Sequence, residues 1–411
     1  MNRIYYGWVV IWVMFITLFV SLGLRFSFGV FYVAILDETG WQRADTAAIF
    51  SIAMAVYTST ILISGALFDR LGPRRLFPLA AVVLGAGIML SSTMQSILEL
   101  YLYFGVIVGI AFSLLGFPTH MAVVPRWFYH SKGLASAVAL SGVGVGSLVL
   151  TNLSEYLITQ IGWRDTYFIY GLVAIVVLVP LNAIFHRDSA QELGLPLDGR
   201  AKDARPHAAT DAHGVTLGRA IRTPAFYVLL LAVTMIGFVS MTMVVHQTRL
   251  SIDLGYSFAV ASGLFGFTGI MRSAGQMTWG PLSDRIGKRP IFVMVTLLGV
   301  AGVLLLFPAE QTPTFIILFV YALLFGFGYM GLSPVYAATV SDFFPGRHQG
   351  KILGLLDVGF GAGASSGPWL AGYLYDKYGH YHTVLWMVIA GVIITGAALY
   401  FVTYMRHPET D

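Results

Sequence analysis

Arg25, Arg272 and Asp357 lie inside long apolar stretches, where charged side chains are rare, and His120 and His246 lie in two more such stretches. A cation at the bilayer centre costs roughly 2.5–3.5 kcal/mol even on the lenient insertion scale, so it persists only against protein or a watery cavity. Arg272 sits about midway along its stretch, too far from either end for its head to reach water. Its planar fork matches a carboxylate with two parallel hydrogen bonds. These features point to an anion site, the alternative being a permanent internal partner such as Asp357. Arg25 lies past the middle of the first stretch, and residues 25, 28 and 32 share a helical face, so Arg25, Phe28 and Tyr32 form one candidate cavity wall. Three readings stay open for Arg25: a second carboxylate receptor, an attractor of anions, or an ion-paired structural residue.

His120 follows Phe117-Pro118-Thr119, and at the corresponding place in the second half of the chain Tyr336 follows Ser333-Pro334-Val335. Matched helix breaks of this kind mark transporter cavities, so Phe117, His120 and Tyr336 join the candidate substrate contacts. His246 closes its stretch as a proton sensor or outer gate, and Asp357 and His120 are further candidates for proton coupling. A lone intramembrane histidine is as often a satisfied packing residue.

These residues need a scaffold that composition identifies. The 411-residue chain is 57% hydrophobic and 11% charged, with a mean hydropathy of +0.77, whereas soluble domains run near 25% charged. A water-soluble enzyme is excluded. The net charge of +4 is spread in short clusters rather than one patch, which argues against nucleic acid as a partner. With no cysteine there are no disulfides or thiolate metal sites, and no cofactor is expected.

Twelve stretches reach the roughly 20 apolar residues that a span requires: 6–36, 45–67, 76–95, 98–125, 132–160, 166–185, 224–247, 257–279, 290–308, 314–342, 350–374 and 384–405. With the N-terminus inside, 18 of the 24 Lys and Arg fall in inside loops, four (Arg43, Arg164, Arg249 and Lys377) in outside loops, and two within spans. Both termini are therefore expected in the cytoplasm. The polar stretch 186–222, with Pro196, Gly199, Pro206 and Gly214, reads as a flexible cytoplasmic linker. It separates a bundle over 1–185 from another over 223–411.

The two halves repeat. Gly65-Ala66-Leu67-Phe68-Asp69-Arg70-Leu71-Gly72-Pro73-Arg74-Arg75 after the second span matches Gly280-Pro281-Leu282-Ser283-Asp284-Arg285-Ile286-Gly287-Lys288-Arg289 after the eighth. Gly133, Gly142, Gly144, Gly146, Gly162 and Thr166 match Gly350, Gly359, Gly361, Gly363, Gly379 and Thr383, all at one constant offset. The sequence predicts an all-α membrane protein, twelve transmembrane helices in two pseudo-symmetric six-helix bundles, with a binding site at the repeat interface.

The doubled G-x-L-x-D-R-x-G-x-R/K loop resembles the signature of the major facilitator superfamily, and with twelve spans and the central linker the resemblance covers the whole chain. It implies a secondary transporter that alternates access by rocking, with Asp69, Arg70, Asp284 and Arg285 as a conformational latch; the alternative is that these charges only fix topology. Tyr6-Gly7-Trp8, Ser27 to Phe31, Gly40 to Ala44, and Trp127 to Ala135 running on through Gly142 and Gly146 are similar to the monocarboxylate transporter family and its bacterial relatives, which include the oxalate–formate exchangers. That family places a substrate-binding Arg where Arg272 stands. The sequence departs from it at Thr268, where many members carry Asp, and at Val30, where animal members carry Lys. The helix 11 cation of the exchangers has no counterpart.

The expected function is movement of a small monocarboxylate such as lactate or pyruvate, coupled to protons. Arg272 would hold the carboxylate, and Phe28, Phe117 and Phe327 would enclose the carbon tail. An organic-anion exchanger with Arg25 as second cation is the alternative, and a neutral-solute or drug exporter a more distant one. Gly326 to Gly331 fits G-x-G-x-x-G but follows no strand and lies within span ten, so it is read as helix packing. Gly346 to Lys351 lacks the spacing of a phosphate loop. The chain is expected to work as a monomer, without enzymatic activity, in a prokaryotic inner membrane.

Overall fold

The computed structural model describes residues 5–199, 215–309, 314–345 and 349–406; Pro206, Gly214 and Gly346, named above, and Arg3, Arg200, Lys202, Arg205 and Arg347, counted among the inside cations, lie outside the described residues. Among the described residues every regular element is helical. The N-terminal elements are α1 (Tyr6–Thr39), α2 (Arg43–Leu71), α3 (Pro73–Ser92), α4 (Ile97–Leu100), α5 (Gly109–Leu114), α6 (Phe117–Met121), α7 (Lys132–Val173) and α8 (Val179–Phe185). After the short α9 (Leu217–Ala220) come α10 (Pro224–Asp253), α11 (Phe258–Ile286), α12 (Lys288–Leu304), α13 (Leu306–Ala309), α14 (Phe315–Phe327), α15 (Ser333–Phe343), α16 (Gln349–Tyr378) and α17 (His382–Val402).

Nine segments among the described residues are long and apolar enough to cross a membrane. One of them, Lys132–Phe185, has 54 residues and breaks at Gly162 (φ 82, ψ 162), so it holds the expected spans five and six. The other two expected spans, α11 and α16, are not among the nine. Their hydropathy is lowered by Thr268, Arg272, Gln276 and Thr278 on α11 and by Asp357 with a run of glycines on α16. The twelve-helix arrangement thus stands, with spans four and ten interrupted. Ser113–Leu114 gives way to α6 with Pro118 in its first turn, and α14 gives way at Gly328 to α15 with Pro334 in its first turn.

The chain folds as two compact units, Met1–Glu38 with Ile52–Pro206, and Thr39–Ser51 with His207–Asp411. Residues 39–51, the start of α2 included, thus group with the second unit. In lipid, apolar side chains gain little from meeting one another, so helices associate through small residues that let backbones approach. Unit 1 packs α1 on α7 in this way: a side chain at Gly142 or Gly146 would collide with the carbonyls of Phe15 and Phe19. Unit 2 repeats the device between α10 and α16, where Gly363 lies on the Thr234 carbonyl and Gly359 near the Thr234 hydroxyl. Aromatic rings fill the remaining interior of unit 1, with Phe31 stacked on Tyr167 at 3.9 Å and Phe28 against Phe104 at 5.0 Å.

The described part of the 186–222 stretch differs from a flexible linker. Residues 186–199 lie along unit 1, where Ala190 N donates to Arg126 O at 3.3 Å and Asp198 N to Trp127 O at 3.1 Å. The physical reason is the unpaired N–H groups that begin every helix. Asp188 accepts from Arg74 N at 3.4 Å at the start of α3. Asp198 accepts from Tyr129 N and His130 N at 2.7 Å and from Ser131 N at 3.2 Å, just before α7.

Candidate functional site

In unit 1, α1 carries Arg25 into the interior, where the residue is 6% exposed. Its Nη2 lies 2.7 Å from Met54 Sδ, and its guanidinium sits over the rings of Tyr57 at 4.7 Å and Phe112 at 5.9 Å. Ring faces and a thioether are weak, neutral partners for a full charge. Among the described residues Arg25 pairs with no carboxylate, and its Nε has no hydrogen-bond partner. Phe28 and Tyr32 follow on the same face, both buried, with ring centroids 6.5 Å apart.

The other unit 1 candidates separate. Phe117 is 50% exposed at the start of α6. His120, further along the same turn, is fully buried; its ring stacks on Phe77 at 4.4 Å and its Nδ1 lies 3.0 Å from Gly116 O. His186 presents an edge to the same Phe77 ring at 5.1 Å. His120 therefore sits in the packed interior, and the Phe117–His120 pair of the sequence reading does not share one surface.

In unit 2, Arg272 is half-buried on α11. Phe327 ends α14 against the later part of α11: its carbonyl accepts from Trp279 Nε1 at 2.6 Å, and the Trp279 and Phe327 rings lie 5.0 Å apart. Tyr336 on α15 is 7% exposed, with a hydroxyl that meets no partner among the described residues. Asp357 on α16 is exposed. His246 is buried on α10, with Nε2 2.8 Å from Pro368 O and Nδ1 3.1 Å from Tyr381 OH.

The sequence reading missed the cluster to which His246 is tied. Arg43, read from the sequence as an outside charge within the Gly40 to Ala44 stretch, has its Nη1 2.6 Å from Asp253 Oδ2 and 2.9 Å from Tyr381 OH. Its guanidinium covers the Tyr375 ring at 3.5 Å. Asp376 accepts from Arg43 N at 3.1 Å and Ala44 N at 2.7 Å, closing the start of α2. No spacing rule joins residues 43, 253, 376 and 381; their only sequence signal is charge or hydroxyl at four predicted loop ends.

Around the repeated loops, Asp69 lies 4.0 Å from Arg126 Nη2, and Arg126 covers the Phe68 ring at 4.7 Å. Arg70 lines a cleft of about 570 Å³ with Arg74, Arg75, Asp188 and Glu192. In unit 2, Asp284 and Arg285 are exposed, and the ion pair there joins Lys288 to Asp342. Among the described residues no group of three or more His, Cys, Asp or Glu is arranged to hold a metal ion.

The family model described as Major Facilitator Superfamily matches residues 14–274 and 248–411. Among curated relatives, the chain is 28% identical over 400 residues to monocarboxylate transporter 13 of Rattus norvegicus, covering 96% of this chain and 88% of that one. It is 26% identical over 360 residues to the uncharacterized MFS-type transporter YhjX of Escherichia coli, covering 84% and 82%. Its fold is similar to a bacterial homologue of the human lysosomal transporter Spinster, at TM-score 0.78, 13% identity and 98% coverage of both chains. It is also similar to the D-xylose–proton symporter, at TM-score 0.75, 15% identity and coverage of 97% and 98%. With both halves of the chain matched and the duplicated helical fold in place, this multi-pass membrane protein is a transporter, not an enzyme, and belongs to the Major Facilitator Superfamily.

Proposed function

We propose that the protein moves a small monocarboxylate of the lactate or pyruvate type by alternating access, with Arg272 receiving the carboxylate. The observation that carries this reading is that an arginine, Arg25, is buried within an apolar helix among rings, a thioether and the Tyr57 hydroxyl instead of carboxylates, with Arg272 a second arginine inside an apolar helix. A buried cation so held is costly unless an anion joins it, and a carboxylate substrate supplies that anion during each cycle. The similarity to monocarboxylate transporters supports the same substrate class. Phe28, Phe117, Phe327 and Tyr336 are its proposed further contacts; His120, stacked on Phe77 in the packed interior, is set aside.

Asp357 is the proposed proton carrier, because its side chain is exposed and can exchange protons. His246 and His120 are held inside by hydrogen bonds to backbone carbonyls. The second reading is anion exchange, favoured by Arg25 as a second cation for a dicarboxylate. The Lys and Arg count supports cytoplasmic termini; the membrane is taken to be a prokaryotic inner membrane and the chain to act as a monomer.

The test is uptake of labelled lactate and pyruvate into proteoliposomes under an inward proton gradient. Accumulation that a protonophore abolishes, and that Arg272→Gln lowers on the order of a hundred-fold as expected for loss of a buried charge partner, supports symport. Uptake only after an anion is loaded inside supports exchange. Carboxylate transport unaltered in a well-folded Arg272→Gln variant overturns the role of Arg272.

A further inference from the structure

Three neutral side chains from three helices of unit 2 meet in the interior one helical turn from Arg272. Gln247 on α10, Thr268 on α11 and Tyr321 on α14 are each 2% exposed. Thr268 donates its hydroxyl proton to Leu264 O at 2.9 Å on its own helix, so its oxygen can only accept from Gln247 Nε2 at 3.0 Å. The amide is thereby oriented with Oε1 towards Tyr321, whose hydroxyl donates to it at 3.2 Å. Each hydrogen bond fixes the direction of the next.

The same stretch of α11 is gripped from a second side. A side chain at Gly326 would lie 2.8 Å from Thr268 O and 2.9 Å from Met271 Cβ, and Gly275 lies against the Phe327 carbonyl. Thr268 and Arg272, one turn apart, lie on one face of α11. What holds Thr268 therefore sets the rotation and depth from which the Arg272 side chain departs. No amide or hydroxyl of this network titrates near neutral pH, so the network neither takes up nor releases a proton.

We propose that Gln247 is the positioning residue for Arg272, acting through Thr268 and Tyr321; this rests on Arg272 being the carboxylate-binding residue. Buried between two other helices, Gln247 directs both ends of its amide to these two side chains. A rigid second layer is what holds a binding group within the narrow geometry that recognition needs.

Two substitutions separate positioning from mere packing. Gln247→Leu keeps the volume and removes both bonds; KM for the transported carboxylate is expected to rise about ten-fold with kcat little changed, the scale of a lost buried hydrogen bond. Gln247→Glu reproduces the amide when protonated and adds a charge when ionised. It should behave like the native protein in acid and like Gln247→Leu as pH rises, giving a pH step that the native protein lacks. A substrate-free readout uses the absence of cysteine: the maleimide labelling rate of Arg272→Cys should change about five-fold or more when Gln247→Leu is added. If the native protein transports no carboxylate while the labelling rate changes, the substrate reading fails and the positioning stands. An unchanged labelling rate, or Gln247→Glu following the native pH profile throughout, overturns the proposal. Should Gln247→Leu fold poorly, the Gln247→Glu profile decides alone.

Discussion

The turn after α2 passes through Gly72 (φ 68, ψ 165) and the turn after α11 through Gly287 (φ 88, ψ 161), two copies of one backbone at matching places in the repeat. Their surroundings differ. Over Gly72 the carboxylate of Asp188 sits 2.5 Å from where a Cβ would be, while nothing lies within 4 Å of that position at Gly287. Beside the first turn Arg126 faces Asp69; beside the second Lys288 faces Asp342. The alignment that matches His120 with Tyr336 also sets Arg126 opposite Asp342, with the polarity reversed. Duplication has kept what only glycine geometry permits and released what side-chain charge can rearrange. Asp69 and Asp284 are therefore not interchangeable halves of one latch: Asp69 has an arginine partner within its own unit, and Asp284 is exposed with no ion pair among the described residues.

The sharpest way to break this comparison is to place the same side chain at both turns. Both turns hold a positive φ with an extended ψ, a region essentially closed to L residues that costs on the order of 1–3 kcal/mol, and Gly287→Ala should lose about that much. Gly72→Ala should lose about 1 kcal/mol more once the displaced Asp188 gives up its bond to Arg74 N and leaves a helix N–H unmet. Thermal unfolding in detergent measures both; equal losses would show that Asp188 yields freely.

A smaller effect tests the reversed pairs. Arg126→Asp faces Asp69 with a like charge, and the double variant Arg126→Asp with Asp69→Lys recreates the polarity of unit 2. The side chains are 35% and 80% exposed, so the single change should cost below about 1 kcal/mol, less still in high salt. Recovery in the double variant, in stability and in transport rate, marks the pair as a working contact; no recovery assigns Arg126 to its contact with the Phe68 ring instead.

How much of this was legible depended on the range over which the physics acts. The repeated glycines were readable because close helix approach and positive φ leave glycine no substitute: Gly162 and Gly379, aligned by sequence, share φ values of 82 and 76. Pro118 and Pro334 announced broken helices, since proline opens a new first turn. Polar groups whose partners lie far along the chain were not readable. Gln247 looks like any helix residue until Thr268 and Tyr321 fold against it, and Arg43 counts as a topology charge until Asp253 and Tyr381 arrive. Residues 186–199 have the composition of a linker, and only the fold brings helix N-termini to Asp188 and Asp198.

Asp198 gives the smallest and most specific test of how unit 1 is tied. It adopts φ 54, the one positive value outside glycine among the described residues, a conformation that aspartate tolerates better than most. Burial works against its charge, but the backbone N–H groups of His130, Tyr129 and Ser131 more than offset that and hold its carboxyl below the usual 3.8. A depressed folded value means stability that is fully present above the unfolded value and is lost as pH falls through the folded one. Asp198→Asn keeps one acceptor oxygen and loses the charge, so at neutral pH it should cost about 0.5–1 kcal/mol, the lower range of helix N-terminal caps, given its partial exposure. The gap in unfolding temperature between Asp198→Asn and the native protein should begin to narrow as pH falls below about 4 and close below the depressed folded value. A gap that persists in acid would mean that the carboxylate's shape rather than its charge holds the strap, and that the strap contributes to unit 1 through packing alone.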